Sequence, residues 1–211
     1  ALVFICHGYG EHCSRYQRLG NTLAEQGYLA FSQDHGFLII NSFQVWLQCS
    51  QITYYENTNT VEHPYAITSR KRPPSACVGR IVSWIMPSYQ IRPPIDPSVL
   101  SRDPTQVEKY ANNSLNWHEG MKVRWVGAIL DAMNEIQGNL SRLTTPYLLV
   151  HGDGDQLLKI DGSHFLHENS PSNDKTFKVD KNGRHELLNE VEETAGVVYK
   201  DIQYLIQQKL P

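Results

Sequence analysis

Cysteine is scarce and unpatterned. The four in these 211 residues keep neither metal-ligand spacing nor the density of a disulfide framework, which argues for reduced thiols in an intracellular, cytoplasmic protein. Long apolar runs are missing too, and no stretch approaches the roughly 20 apolar residues of a spanning helix. Charge of one sign is also lacking. Nineteen basic against 22 acidic residues leave a net charge of -3, so phosphate-backbone binding has no global support and nucleic acid is not an expected partner. Arg70-Lys71-Arg72 reads as a solvated loop. The chain opens inside a strand, without an initiator methionine or a charged-then-apolar leader, so any targeting segment is missing rather than shown absent. The Asn-x-Ser sequons at Asn112 and Asn139 would matter only on a secretory route. There are no internal repeats. A hydrophobic content of 40% is enough for one sizeable core.

Two stretches carry chemistry. Pro146 to Asp155 is an apolar run that breaks into Gly152-Asp153-Gly154-Asp155, a buried strand delivering an acid to a sheet edge. Further on, the strand-like Thr176-Phe177-Lys178-Val179-Asp180 is followed by His185 in the glycine-marked turn Asn182-Gly183-Arg184-His185. In open α/β sheets, loops after the carboxyl ends of strands share one crevice. An Asp there can fix the tautomer of a His, whose second nitrogen then takes a proton from a nucleophile. Taken singly, Asp155 also reads as a loop acid capping a helix, and His185 as a solvent-facing loop residue. Leu2-Val3-Phe4-Ile5-Cys6 is a second apolar strand, ending in His7-Gly8-Tyr9-Gly10-Glu11-His12. A glycine-bearing loop of this kind supplies one backbone donor of an oxyanion hole; a plain strand-to-loop turn is the alternative. A zinc site from His7, Glu11 and His12 is disfavoured because the spacing is not the helical His-Glu-x-x-His. No metal or cofactor is expected.

The order of patterns is strand, helix, strand at the start: Tyr16, Leu19 and Leu23 mark the buried face of a helix stopping at Gly27, and Tyr28 to His35 is the next strand. This order implies an α/β fold with a mostly parallel sheet. From Gly36 to Ala76 the pattern dissolves. Val78 to Met86 reads as a short helix with one greasy face, and prolines 87, 93, 94, 97 and 104 keep the chain extended and turning. Val126, Ile129, Leu130, Met133 and Ile136 mark a longer helix; Val197, Val198, Ile202, Leu205 and Ile206 mark a closing one. The expected division is 1–76 for the first half of the core, with 36–76 atypical and loop-like, 77–140 for a cap, and 141–211 for the second half.

These residues resemble the monoacylglycerol lipases of the α/β-hydrolase fold, serine hydrolases that cut monoglycerides to fatty acid and glycerol. The likeness rests on His7-Gly8-Tyr9-Gly10-Glu11-His12 with Arg15-Tyr16, on Asp34-His35, on the cap phrase Pro94-Ile95-Asp96-Pro97-Ser98-Val99-Leu100-Ser101-Arg102-Asp103, and on the surroundings of Asp155 and His185. It implies that Asp155 and His185 are the triad acid and base, that the Tyr9 N–H is an oxyanion donor, and that Glu11 and Arg15 lie toward the glycerol end of the substrate. It also implies a cap helix that admits an acyl chain and touches the membrane surface.

The chain departs from the family where the chemistry is most demanding. The family follows Asp-His with Gly-His-Gly-x-Ser, a strand, and a Gly-x-Ser-x-Gly nucleophile elbow. Here Asp34-His35 runs into Gly36-Phe37-Leu38, and no serine has glycine at both the second position before it and the second after. The elbow exposes the attacking hydroxyl at a helix N-terminus and supplies the second oxyanion donor. Ser75-Ala76-Cys77-Val78-Gly79 is the nearest approach, with serine where the first glycine belongs. Ser163 reads as a helix N-cap. Leu188 stands where the family often places a histidine that helps hold glycerol. The sequence therefore predicts an α/β-hydrolase-like core short of its central strand and nucleophile helix, its two halves packed loosely. Its function is either that of a monoacylglycerol lipase-type ester hydrolase, inactive in this chain, or of a non-catalytic relative that binds acyl lipid or a protein partner.

Overall fold

In a computed structural model of the chain the described residues are 2–5, 7–34, 82 and 84–209. Leu2–Ile5 forms β1, a 3-10 turn over Cys13–Tyr16 leads into α1 (Gln17–Glu25), and Leu29–Ser32 forms β2. Leu19 and Leu23, one helical turn apart, are fully buried on α1. The helix gives way at Gly27, whose φ of +84° lies in the left-handed region that glycine adopts without steric cost. β1 and β2 are parallel, with Leu2 opposite Leu29 and Ile5 opposite Ser32, as a strand-helix-strand order requires.

The 77–140 stretch, expected to be a cap, holds β3 (Gln90–Arg92), α2 (Pro104–Ala111), β4 (Met121–Lys122) and α3 (Val123–Asn139) among its described residues. α2 is a helix the sequence pattern did not single out; it starts at Pro104, where the stretch expected to be extended and turning ends. Pro104 is the first helical residue, where the missing N–H costs nothing, and the Asp103 side chain caps the helix by accepting from Thr105 N at 2.8 Å. β3 and β4 pair antiparallel through a register shift. Along α3, buried Ile129 packs with Trp125, Met133 and Ile136. Most of the short helix expected over 78–86 lies outside the described residues; Trp84, Ile85 and Met86, which are described, are exposed.

The last third holds β5 (Tyr147–Gly152), α4 (Asp161–Asn169), β6 (Lys175–Asp180) and α5 (Glu192–Lys209). All six residues of β5 are buried, in keeping with a strand covered on both faces. α5 buries Ala195, Val198, Tyr199, Ile202 and Ile206. Val197, expected on that face, is exposed because the 3.6-residue period carries it off the stripe. Among the described residues the strands pair as three two-stranded sheets, β1–β2, β3–β4 and β5–β6. Even so, Val3 and Ile5 of β1, Leu148 and Val150 of β5, Leu19 and Leu23 of α1, and Val198 and Ile202 of α5 belong to one hydrophobic cluster. Among the described residues the two halves thus share one cluster, to which α1 and α5 contribute along with β1 and β5.

Candidate active site

The parallel register of β5 and β6 brings Gly152 level with Asp180, so the loops after both strands leave the sheet together. They are laced by backbone hydrogen bonds, Asp153 N to Asp180 O at 3.0 Å and Gly154 N to Gly183 O at 3.0 Å, and by the Asn182 N–H donating to the Asp153 carboxylate. Asn182 adopts a left-handed φ of 64°, a conformation asparagine tolerates better than most residues. The lacing requires glycine: a Cβ on Gly154 would stand 2.9 Å from Asn182 O, and one on Gly152 would press into the Gly183 carbonyl.

Asp155 and His185 meet across this junction. His185 Nδ1 donates to Asp155 Oδ2 at 2.9 Å; a carboxylate only accepts, so Nδ1 carries the proton and Nε2 is the nitrogen on which a further proton would be taken up. Asp155 Oδ1 accepts from Leu157 N at 2.7 Å and Leu158 N at 3.0 Å, so the same residue also caps its own loop. Burial alone would raise this carboxyl, but the hydrogen bond and charge of His185, with the two backbone donors, outweigh it and hold the acid below its ordinary value. His151, unremarked in the sequence although it lies four residues before Asp155, is buried with Nε2 3.6 Å from the same Oδ2. Burial lowers its pKa. The neutral ring fits its partners: Nε2–H donates to Leu158 O at 3.3 Å and Nδ1 accepts from the Ser163 hydroxyl at 2.8 Å. Ser163 is thus not the N-cap expected of it. It sits inside the first turn of α4, fully buried, with its hydroxyl turned to His151.

The 8–12 loop is pinned by residues of the 113–125 stretch. Trp117 N donates to Gly10 O at 2.8 Å, Asn113 Nδ2 donates to His12 Nε2 at 2.8 Å, and the Tyr9 ring lies 3.8 Å from that of Trp125. Glu11 Oε2 accepts from Gly8 N at 3.2 Å and from the Tyr16 hydroxyl at 2.9 Å. Arg15 lies between Glu11, at 3.2 Å from its Nε, and Glu186, with its guanidinium 4.9 Å over the Tyr110 ring. The side chains of Glu11 and Arg15 are largely enclosed, their charged groups turned toward protein partners. The Arg15–Glu186 ion pair joins this loop to the histidine loop. The link runs through Glu186, the neighbour of His185, which the sequence does not single out. Of the other residues in the argument, Asp34 accepts from Cys13 N at 2.6 Å, and Leu188 is buried in the core. His35 and Ser75 to Gly79 lie outside the described residues.

Two carboxylates share one guanidinium here. Burial first, and then the Glu11 charge, push Glu186 well above its ordinary value despite Arg15. A carboxyl raised in the folded state stabilises fully below its unfolded pKa and withdraws that stability as pH rises through the folded value. The parent chain should therefore lose more stability than Glu186→Gln as pH is raised from 4.5 to 8. Denaturant midpoints across that range test this, and parallel curves would refute it.

The pattern of one hydrolase family, described as serine aminopeptidase, S33, matches residues 1–36 and 61–192. The chain belongs to that family. It is 26% identical to the monoglyceride lipase of Rattus norvegicus over 257 aligned positions, covering 100% of this chain and 83% of the relative. Among solved structures, the monoacylglycerol lipase of Paleococcus ferrophilus superposes with a TM-score of 0.70 at 18% identity, covering 98% of this chain and 93% of that one. A soluble variant of the Saccharomyces cerevisiae monoglyceride lipase, bound to a substrate analogue, gives 0.69 at 15%, covering 98% and 87%. The fold is that of an α/β-hydrolase, in accord with the family expected from the sequence. Among the described residues no helix is long and apolar enough to cross a membrane, and no group of three or more His, Cys, Asp or Glu side chains could hold a metal ion.

Proposed function

We propose that this chain descends from a monoglyceride-cleaving serine hydrolase, with Asp155 as the triad acid, His185 as the base and the Tyr9 N–H as one oxyanion donor, and that as written it lacks the nucleophile. The observation carrying the first part is the 2.9 Å hydrogen bond from His185 Nδ1 to Asp155. It would leave Nε2 as general base toward a serine hydroxyl, with the depressed Asp155 staying ionised to stabilise the imidazolium. Glu11 and Arg15, braced by Glu186, would border the glycerol end. The exposed Trp84, Ile85 and Met86 would meet the acyl chain and the membrane surface.

Three observations support the missing nucleophile. No Gly-x-Ser-x-Gly occurs in the chain. The alignment with the rat relative takes in all 211 residues yet spans 257 positions, so the difference of 46 lies inside the chain, and the family pattern skips residues 37–60. The described strands form separate pairs rather than one continuous sheet, as expected where a central strand and its helix are lost.

A fluorophosphonate probe is expected to label no defined serine of the purified chain; stoichiometric labelling at one residue would overturn the reading. The same observations favour a second reading, a non-catalytic relative that binds acyl ligands or a protein partner. Sequencing full-length transcripts across residues 35–77 separates the two: a restored Gly-x-Ser-x-Gly segment marks the active hydrolase.

A further inference from the structure

Residues 98–102 of the cap phrase grip the histidine loop on both sides of His185. Before His185, the Arg184 N–H donates to Glu190 Oε1 at 2.9 Å, and the Arg184 guanidinium reaches the carbonyls of Ser98 and Ser101. After it, the Glu186 N–H donates to Leu100 O at 2.8 Å. The Ser101 hydroxyl donates to Asn189 O at 2.7 Å. Glu190 joins the two segments, because its Oε1 also accepts from Arg102 N at 3.1 Å while Oε2 accepts from Arg102 Nε at 3.0 Å and Val191 N at 3.0 Å. Arg102 continues the chain to Thr194, which donates to Asp180 at the end of β6.

The Glu190 side chain is completely buried. A buried carboxylate is tolerated when its oxygens are fully hydrogen-bonded and becomes costly when one partner is removed. Here the four donors come from the cap phrase, the residue preceding His185, and the start of the closing helix. The peptide units flanking His185 are thereby fixed relative to the cap. Rotation about them would swing the imidazole away from Asp155, and a displacement of about 1 Å in such a site can cost on the order of 10²-fold in rate.

We propose that Glu190, acting with Leu100, Ser101 and Arg102 of the cap phrase, is the positioning residue that holds His185 in hydrogen-bonding register with Asp155. This deepens the function proposed above and rests on the Asp155–His185 pairing. Glu190 touches no reacting atom; it acts through the backbone of the histidine loop, and couples the seating of the cap to the orientation of the base.

The test uses the full chain with isotope-labelled histidine, assigned with a His185→Gln variant. In the parent, a low-field Nδ1–H proton and ring nitrogen shifts for His185 should report a single Nδ1–H tautomer. Glu190→Gln, which sets an amide donor against donors, should broaden or abolish that proton and mix the tautomers. The ring signals of His167, which packs against Tyr147 and Phe177, should stay in place. Ser101→Ala removes the bond to Asn189 O, together with the one the hydroxyl accepts from Asp103 N at 3.0 Å, without burying a new polar group, and should shift His185 in the same direction to a smaller extent; it decides the matter if Glu190→Gln fails to fold. Unchanged His185 signals in the folded variants would overturn the proposal alone. Parallel changes at His167 and His185 would do so too, since they mark general loosening. Absence of the low-field proton in the parent would overturn the pairing itself, and this proposal with it.

Discussion

Turnover of a monoglyceride ester by this chain is expected to lie about 10⁶-fold below that of a version in which a relative's Gly-x-Ser-x-Gly strand and helix replace residues 37–60. The size follows from what one elbow supplies, the attacking hydroxyl and the second oxyanion donor; the latter alone is worth about 10² to 10³ in rate. These contributions act as a unit, so they are not multiplied. In the restored protein, Asp155→Asn should lower turnover by about 10⁴, because the amide no longer selects the tautomer of His185 in which Nε2 can accept a proton. The same substitution in the chain as written should leave its background rate unchanged. Measured esterase rates decide this: comparable turnover by the unaltered and restored chains would mean that another residue already serves as nucleophile.

Gly152→Ala should destabilise the protein by more than about 3 kcal/mol, lowering its melting temperature by roughly 6 °C or more. The added Cβ would press into the carbonyl of Gly183 and stand 2.9 Å from Arg184 O, and both are backbone atoms of the loop that presents His185. To admit the methyl, the ends of β5 and β6 must part, which should also break the Asp155–His185 hydrogen bond. Gly20→Ala makes the contrast. Nothing lies within 4 Å of a Cβ there, on α1, so the change should stabilise by up to about 1 kcal/mol through better helix propensity. Thermal melts of the two variants should move in opposite directions. A Gly152→Ala melt within a degree of the parent would mean that the two loops are not locked together.

Residues whose local pattern and final environment agree were legible in advance. Tyr147 to Gly152 reads as a strand because an unbroken apolar run bounded by glycine suits a strand covered on both faces, and all six residues are buried. Leu19 and Leu23 follow the helical period. The helix after Pro104 was not legible because proline ends a helix in most positions and begins one only at the first, and the decisive sign, Asp103 immediately before it, is a single residue. Ser163 misled for a related reason: a serine near a helix start is an ordinary cap until a buried histidine appears above it.

The amino-acid sequence by itself determined the family, the parallel β-α-β opening, the candidate acid and base, and the absence of a Gly-x-Ser-x-Gly pattern. All of these depend on residue identity at short spacing or on the apolar period of one element. Only the tertiary structure decided that Glu186 shares Arg15 with Glu11, that Glu190 ties the cap phrase to the histidine loop, and that His151 stands beside Asp155. In the linear chain these glutamates look like solvated surface charges. Their burial is set by segments more than eighty residues away in sequence, and no local pattern records which distant donors a carboxylate will meet once water has been excluded.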